Sequence, residues 1–454
     1  MRVIVAGAGE VGFNIARWLA KEGHSVSLID LDEERLARAA ELLDIQTVAG
    51  KCSVPEVLAR AGAADAEILV AVTNVDEVNM VACMVAEQQF HIPHKVARIR
   101  EVGYAAIGDF LSGPATGIDL IIHPEMEAAT RLQRLIDLPG ATDVLEFGDG
   151  TLRLAVCPIS EDSPLANQPL KKSFTPSDAH RVLVGAILRK GRVIIPRGAD
   201  RLQAGDQIFL LGRPDDLRQR LPEIGIAGAA ISNVVVVGGG QIGLAVARHM
   251  EGRNITVKII EPNDERCAFL SDELRRAIVL RGKITDVDLM REENVGSCDL
   301  FLAVSDDEED NMLACLLAKR MGAAKVICLL NRSEYVPLAP SLGIDAALSP
   351  RLSTVGAVQR FLRKGRVLTV DQLVEDQAEI IEAVALQGSD IVGTPLAKID
   401  FPTDAIIGAI IRNGECRIPS GGDMVELEDR VVIIALKKAL KKVEKALTLK
   451  PTVW

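Results

Sequence analysis

The amino-acid sequence carries the same ordered set of motifs twice, and this repeat limits the possible folds more than any other feature. The stretch GAGEVG at residues 7–12 returns as GGGQIG at 238–243. Further along, AVTNVDEVNM at 71–80 returns as AVSDDEEDNM at 303–312. Because the two motifs are almost equally spaced in both copies, the chain is predicted to contain a duplicated structural unit.

A smaller unit follows in each half. GAILRKGRVIIPRG at 185–198 returns as GAIIRNGECRIPSG at 408–421, and an apolar run follows each copy, at 207–211 and 430–436. Alternating apolar residues between turn signals are typical of short antiparallel strands. Since a domain has roughly 100–200 residues, the chain is long enough for several, and the repeats predict four: 1–123, 140–224, 232–350 and 368–454.

The two units of each half are expected to be joined by an amphipathic helix. Its apolar residues recur every three or four positions, as on one helical face. They are Met126, Ala129, Leu132 and Ile136 in the first copy, and Leu352, Val355, Val358 and Leu362 in the second.

The larger unit of each half begins with a strand, a glycine turn, a helix and a second strand. The predicted elements are Arg2–Ala6, Val11–Lys21 and Ser25–Ile29, and in the second copy Asn233–Val237, Ile242–Met250 and Thr256–Ile260. This order predicts an α/β fold with two Rossmann-like domains, each a doubly wound parallel sheet. Each is followed by a small α+β domain.

The glycine turns are the candidate dinucleotide sites. In a turn of this kind the first glycine permits the tight bend, the second lets the backbone approach a pyrophosphate, and the third lets helix and strand pack closely. The helix N-terminus then offers free N–H groups to the phosphates. The candidate residues are Gly7, Ala8, Gly9, Glu10, Val11 and Gly12, and in the second copy Gly238, Gly239, Gly240, Gln241, Ile242 and Gly243.

An acidic residue closes the second strand of each unit, Asp30 in the first copy and Glu261 in the second. Such a carboxylate can accept hydrogen bonds from ribose hydroxyls and would repel a 2′-phosphate, so NAD is favoured over NADP. Two alternatives remain open: Asp30 caps the helix at 33–42, or the glycine turns belong to degenerate Rossmann domains that bind nothing.

Polar residues follow the fourth strand, Ile68–Val72, at the carboxyl edge of the sheet. They are Thr73 and Asn74 in the first copy and Ser305 and Asp306 in the second. The acidic run that begins at Asp306 resembles a metal site, but acids at a helix start also complement the helix dipole. We expect the latter and predict no metal site.

Arg98, in a fifth strand expected at Lys95–Ile99, is placed to reach a phosphate. The matching stretch of the second copy, Cys328–Arg332, offers no arginine in register, so the two sites are expected to differ.

The composition excludes some partners. The formal net charge is −11, whereas nucleic-acid binding needs a basic face, so no nucleic acid is expected. The eight cysteines form no C-x-x-C pair and are expected to be buried free thiols.

The motifs quoted above, with the His123-Pro124-Glu125 segment before the linking helix, resemble those of RCK domains, which regulate conductance of potassium channels and transporters. The tandem layout, which spans essentially the whole chain, is similar to that of the regulatory subunits of bacterial Trk potassium uptake systems.

That resemblance implies a subunit that binds NAD(H) and gates an integral-membrane potassium transporter of the Trk type. It also implies a homo-oligomer, a dimer forming a four-domain ring, in the cytoplasm and peripheral on the inner membrane. ATP or ADP is the alternative ligand. A related group of RCK proteins that binds ATP has an arginine in the glycine turn, where this chain has Glu10 and Gln241.

Two other functions stay open, a stand-alone NAD sensor and an NAD-dependent dehydrogenase. Hydride transfer needs an acid–base group near the nicotinamide. Of six histidines, His123 alone lies near an expected hinge, and no Tyr-x-x-x-Lys is present, so no catalytic residue is proposed. Some RCK relatives bind a divalent cation near this hinge, but Glu125 is expected to complement the helix start instead.

The C-terminal segment offers two readings. Leu436, Leu440, Val443 and Leu447 share one helical face among several lysines. The helix either packs on the last sheet or contacts anionic lipid or an acidic partner.

Overall fold

The computed structural model describes residues 1–105, 111, 113, 116–174, 182–226, 231–362, 367–374 and 377–447. The first part of the chain, as far as residue 122, forms a parallel sheet with helices on both faces. Its elements are β1 Arg2–Ala6, α1 Glu10–Lys21, β2 Ser25–Asp30, α2 Glu33–Leu42, β3 Gln46–Ala49, α3 Pro55–Arg60, β4 Ile68–Ala71, α4 Asp76–Phe90, β5 His94–Arg98, α5 Val102–Ala105 and β6 Leu120–Ile122.

The strand order of this sheet is β3-β2-β1-β4-β5-β6, and all neighbours are parallel. Apart from the exposed Arg2 at the start of β1, the central strands β1 and β4 are apolar throughout because helices cover both of their faces. The order reverses between β1 and β4, whose carboxyl ends lie level, since Ala6 pairs with both Ile29 and Ala71. This switch point is where open α/β sheets bind ligands.

A linking helix and an antiparallel sheet follow. They comprise α6 Pro124–Asp137, β7 Asp143–Phe147, β8 Leu152–Pro158, α7 Leu170–Ser173, β9 Val182–Arg189, β10 Arg192–Ile194, β11 Gln207–Gly212 and α8 Pro214–Glu223. The sheet order is β10-β9-β11-β8-β7.

The second half repeats both sheets. Its parallel sheet contains β12 Asn233–Val237, α9 Gln241–Glu251, β13 Thr256–Glu261, α10 Asp264–Glu273, β14 Ile278–Arg281, α11 Val287–Glu292, β15 Leu300–Ala303, α12 Glu308–Met321, β16 Lys325–Leu329 and β17 Ala346–Leu348. The linking helix and second antiparallel sheet are α13 Pro350–Leu362, β18 Val367–Val374, β19 Ala378–Val384, β20 Ala405–Arg412, β21 Glu415–Arg417, β22 Arg430–Leu436 and α14 Leu440–Leu447. The orders β14-β13-β12-β15-β16-β17 and β18-β19-β22-β20-β21 reproduce the first half, so the predicted fold class is confirmed.

Each linking helix packs against the parallel-sheet unit of the opposite half. In α13, the buried Val355, Val358 and Phe361 belong to the same hydrophobic core as α1. In α6, the buried Ala128 and Leu132 belong to the core that contains α9. The two halves are therefore interlocked through their linking helices.

One predicted member of the α6 apolar face is wrong. Met126 is 41% exposed, because it lies about 120° around the helix from the buried Leu132. In α13, the side chains of Leu352 and Leu362 lie outside the described residues.

The C-terminal helix α14 packs on the last sheet. Its Val443, Ala446 and Leu447 are buried in the core formed with β19, β20 and β22. This favours the packed reading of the segment; residues 448–454 lie outside the described part of the chain. Among the described residues, no helix has the length and apolar composition needed to cross a membrane. All eight cysteines are free, and all except the partly exposed Cys267 are buried.

The two antiparallel sheets pack face to face through pairs that obey the internal repeat. A Cβ added to Gly185 would overlap Cδ1 of Ile434, and one added to the equivalent Gly408 would overlap Cδ1 of Leu211. The interface therefore has the self-complementary form of a twofold contact, although one chain supplies both sides.

This contact predicts a coupled pair of substitutions. Gly185→Ala is expected to destabilise the protein by about 1–3 kcal/mol through overpacking, and Ile434→Val by about 0.5–1.5 kcal/mol. Because Ile434→Val removes the methyl group in the way, the double variant should be more stable than the sum of the two changes implies, as measured by chemical denaturation. Gly422→Ala, where a Cβ meets nothing within 4 Å, is the control. Strict additivity would contradict this sheet packing.

Candidate nucleotide-binding sites

The first glycine turn has the geometry that the sequence pattern requires. Gly7 has φ +109°, and a Cβ there would lie 3.0 Å from the backbone nitrogen of Thr73. A Cβ on Gly12 would overlap the carbonyl oxygen of Gly7. The first glycine is thus needed for the bend and the third for close packing of helix on strand.

The second glycine turn repeats this geometry. Gly238 has φ +97°, and a Cβ on Gly243 would overlap the carbonyl oxygen of Gly238. The middle glycines behave differently: a Cβ on Gly240 meets nothing within 4 Å, and one on Gly9 meets only the Arg35 side chain at 3.9 Å. The middle position of each turn is therefore open, as the approach of a pyrophosphate demands.

The acids at the strand ends reach back to these turns. One carboxylate oxygen of Asp30 accepts a hydrogen bond from the backbone N–H of Ala8, and the other from that of Asp32 at 2.9 Å. Likewise, Glu261 accepts from Gly239 at 2.7 Å. The alternative role of Asp30 as a helix cap is wrong, because the N-cap of α2 is Asp32.

Thr73 and its counterpart Ser305 are fixed by a buried asparagine that the sequence analysis missed. The side-chain oxygen of Asn79 accepts from the Thr73 backbone at 2.9 Å and from its hydroxyl at 2.7 Å, and its amide nitrogen donates to the Arg98 carbonyl at 2.8 Å. Asn311 makes the same bonds to Ser305 and to the Leu329 carbonyl. The signal was present, since both asparagines occupy the same position of the repeated motif.

The acidic residues at the starts of α4 and α12 have a structural task. A side-chain oxygen of Asp76 accepts from the backbone N–H groups of Arg100 and Glu101, each at 2.8 Å. Glu308 accepts in the same way from Asn331 and Arg332. Among the described residues no cluster of three metal-ligating side chains occurs, and the acidic run after Asp306 begins helix α12, with Asp307 as its cap.

Arg98 lies at the hinge side of the first site. Its Nη1 is 3.4 Å from Oδ1 of Asn74, while its Nε is buried without a hydrogen-bond partner. Burial lowers the pKa of the Arg98 guanidinium, and the nearby Glu125 carboxylate opposes that shift. Glu125 accepts from Arg100 Nε at 2.8 Å, and its second oxygen is likewise buried and unpartnered.

The second hinge has different chemistry. The hydrogen bonds of Asp76 and Glu308 match, so Arg100 of the first half is equivalent to Asn331 of the second. Leu329 is therefore the residue of the second half that is equivalent to Arg98. The residue after the helix-starting proline is Glu125 in the first half and Arg351 in the second. The two sites are therefore unlike in charge.

Both linking helices also bring a charged residue to the glycine turn of the opposite half. Arg351 Nη1 forms an ion pair with the carboxylate of Glu10, at the start of α1. Glu125 lines a groove of about 400 Å³ together with Gln241, at the start of α9. Each candidate phosphate site is thus faced by a side chain from the other half.

Comparison with protein families accounts for most of the chain. Residues 3–124 and 234–350 match the TrkA-N domain, and residues 154–223 and 380–448 match the TrkA-C domain. The chain belongs to the TrkA family. The resemblance inferred from the motifs is confirmed.

The TrkA relatives are similar over nearly their full lengths. The Trk system potassium uptake protein TrkA of Halomonas elongata is 40% identical over 451 residues, with 98% of each chain covered. That of Azorhizobium caulinodans is 39% identical over 448 residues, again with 98% of each covered. These relatives are named as potassium uptake proteins and not as enzymes. Their names argue against the dehydrogenase alternative.

Solved structures agree with the fold. The GsuK RCK domain superposes with a TM-score of 0.62 at 15% identity, covering 98% of this chain and 94% of that one. The GsuK channel bound to NAD gives 0.61 at 14% identity, covering 98% and 78%. At these identities the likeness concerns the RCK fold alone.

The buried asparagines predict a stability effect. Asn79→Ala should destabilise the protein by about 1–3 kcal/mol, because it leaves the carbonyl oxygens of Thr73 and Arg98 without their donor. Chemical denaturation measures the change, with Asn311→Ala as the equivalent in the second half. Asn14→Ala, whose side chain bonds only the exposed Arg17 among the contacts described, is the control and should change stability by less than about 0.5 kcal/mol. Equal stabilities of the Asn79 and Asn14 variants would show that the network is unimportant.

Proposed function

We propose that the protein is a regulatory subunit that binds NAD(H) in its parallel-sheet domains and gates a membrane-embedded potassium uptake transporter. The observation that most supports NAD(H) as the ligand is an arrangement of groups found in both halves. An open glycine turn, the N-terminus of the following helix and an acid at the neighbouring strand end lie together at the switch point of the sheet. Phosphates and a ribose need these groups.

The proposed ligand residues are those expected from the sequence. In the first site, Asp30 would accept from ribose hydroxyls, while Thr73, Asn74 and Arg98 lie at the adjacent strand ends. The second site has Glu261, Ser305 and Asp306 at the equivalent positions, but Leu329 takes the place of Arg98. We therefore propose that the first site binds NAD(H) more tightly, with ADP or ATP as competing ligands. Support for this choice comes from GsuK, which has been solved bound to NAD and bound to ADP.

The partner proposed is an integral-membrane subunit of the Trk type, reached from the cytoplasmic side. Support comes from the names of the relatives, which are potassium uptake proteins. We propose domain limits of 1–123, 140–224, 232–350 and 368–454, and a dimer whose four parallel-sheet domains close a ring. A ligand can gate the transporter only if it binds the two states of this ring unequally.

Removal of the acid at the first site should weaken NAD⁺ binding by roughly 10- to 150-fold, the value of a good hydrogen bond to a charged group. The variant is Asp30→Ala, measured by titration calorimetry with stoichiometry. Asp65→Ala, which removes an exposed carboxylate paired with Arg2, is the matched control. Unchanged affinity in Asp30→Ala would argue that NAD⁺ binds elsewhere.

Gating is tested by potassium flux through the reconstituted transporter with this subunit. We expect NAD⁺ and NADH to change flux differently in the wild type. In Gly9→Ala with Gly240→Ala the response should be lost, because each new methyl group stands where the phosphates approach and meets nothing else closer than 3.9 Å. If neither nucleotide alters flux although both bind, the stand-alone NAD sensor becomes the better description.

A further inference from the structure

We propose that Arg351, supplied by the second half, is a phosphate-binding residue of the first nucleotide site. The inference rests on the proposed function, since it concerns the same site. It starts from the ion pair between Arg351 Nη1 and Glu10 Oε2. Glu10 is the first residue of α1 and directly follows the open Gly9 of the glycine turn. The guanidinium is therefore held beside the position that a pyrophosphate would take.

The backbone that carries Arg351 is fixed. Helix α13 buries Val355, Val358 and Phe361 in the core of the first parallel-sheet unit. The Phe361 ring also stacks edge-on against His94, with the ring centroids 5.8 Å apart. Because these contacts anchor the helix, the long side chain of Arg351 can exchange partners while its Cα stays in place. Its side chain is 38% exposed, which leaves room for that movement.

The carboxylate of Glu10 competes with a phosphate for the guanidinium of Arg351. An acid in the first turn of a helix is stabilised by the helix dipole, and here it is also paired with a cation. A bound pyrophosphate would accept from the free N–H groups at the start of α1 and would attract the Arg351 guanidinium more strongly than Glu10 does, since it offers several charged oxygens. The pyrophosphate thus displaces Glu10 as the partner of Arg351. Arginine is suited to this exchange because its planar fork matches phosphate and carboxylate alike.

The second site has no equivalent arginine–glutamate pair. Its glycine turn begins helix α9 with the uncharged Gln241, and the facing residue from the first half is Glu125. A carboxylate in that place repels phosphates where a guanidinium attracts them. The cross-half arginine therefore favours anionic ligands at the first site only, and it ties occupancy of that site to the linking helix of the second half.

The test is calorimetry of the full chain in a Gly240→Ala background, so that the heat reports the first site. Arg351→Gln should weaken binding of NAD⁺ and ADP by about tenfold and leave binding of adenosine, which has no phosphate, unchanged. Glu10→Gln should strengthen binding of both phosphate ligands, because the competing carboxylate is gone. Arg17→Gln, which removes the same charge from an exposed position of α1, is the matched control and should bind all three ligands as the background protein does.

The outcomes separate the two proposals. If Arg351→Gln binds NAD⁺ and ADP normally while Asp30→Ala is weakened, Arg351 is no phosphate ligand and the proposed function stands. If the parent protein binds neither ligand, both proposals are wrong. An equal loss of NAD⁺ and adenosine affinity in Arg351→Gln would mark a structural effect and also overturn the inference. Should Arg351→Gln fail to fold, the gain in Glu10→Gln decides, and its absence counts against the proposal.

Discussion

The exchange of linking helices between the halves is the packing constraint on which the rest of the structure depends. Helix α13 completes the core that contains α1, and α6 completes the core that contains α9. Neither parallel-sheet unit could bury its first helix in this way without the other half. Hydrogen bonds secure one crossing: Asp137 of α6 contacts His249 at 3.0 Å and pairs with Arg253. Because the first helix also carries the glycine turn, the same packing that stabilises each half reaches the candidate ligand site.

This arrangement connects the candidate ligand sites with the rest of the molecule. The start of α1, where the phosphates are proposed to bind, lies beside the linking helix of the other half, and that helix leads into the second antiparallel sheet. The two antiparallel sheets are joined through a shared core, with Gly185 and Gly408 as equivalent contacts. Continuous packing therefore connects each candidate site with both halves. Coupling energies of about 1–3 kcal/mol are typical of such linked sites and are enough to shift a two-state assembly.

The duplication is symmetric in fold and asymmetric in chemistry. The asparagine networks and the acids at the glycine turns are repeated almost bond for bond, because the geometry of the sheet edge depends on them. The charged residues at the start of the linking helices are not repeated: the second half has Arg351 at the position of Glu125 in the first. Backbone geometry is the same in both copies, while the charge beside the candidate phosphate sites differs. A tandem chain can hold two unlike sites in fixed relation, which a homodimer of one half cannot.

The sequence by itself determined the duplication, the fold class and the glycine turns with their acids, because these follow from local periodicity and from motifs within one βαβ unit. It also predicted strand bounds to within a residue or two, since apolar runs between turn signals are local features. It failed at Met126, because the three-residue spacing from Met126 to Ala129 does not show where the buried face of α6 ends. It missed Asn79: the repeated motif contains this residue, but only the structure shows that its hydrogen bonds join the ends of β4 and β5. Above all, only the tertiary structure decided that Arg351 meets Glu10, because the two residues are far apart in the chain and are joined only by packing between the halves.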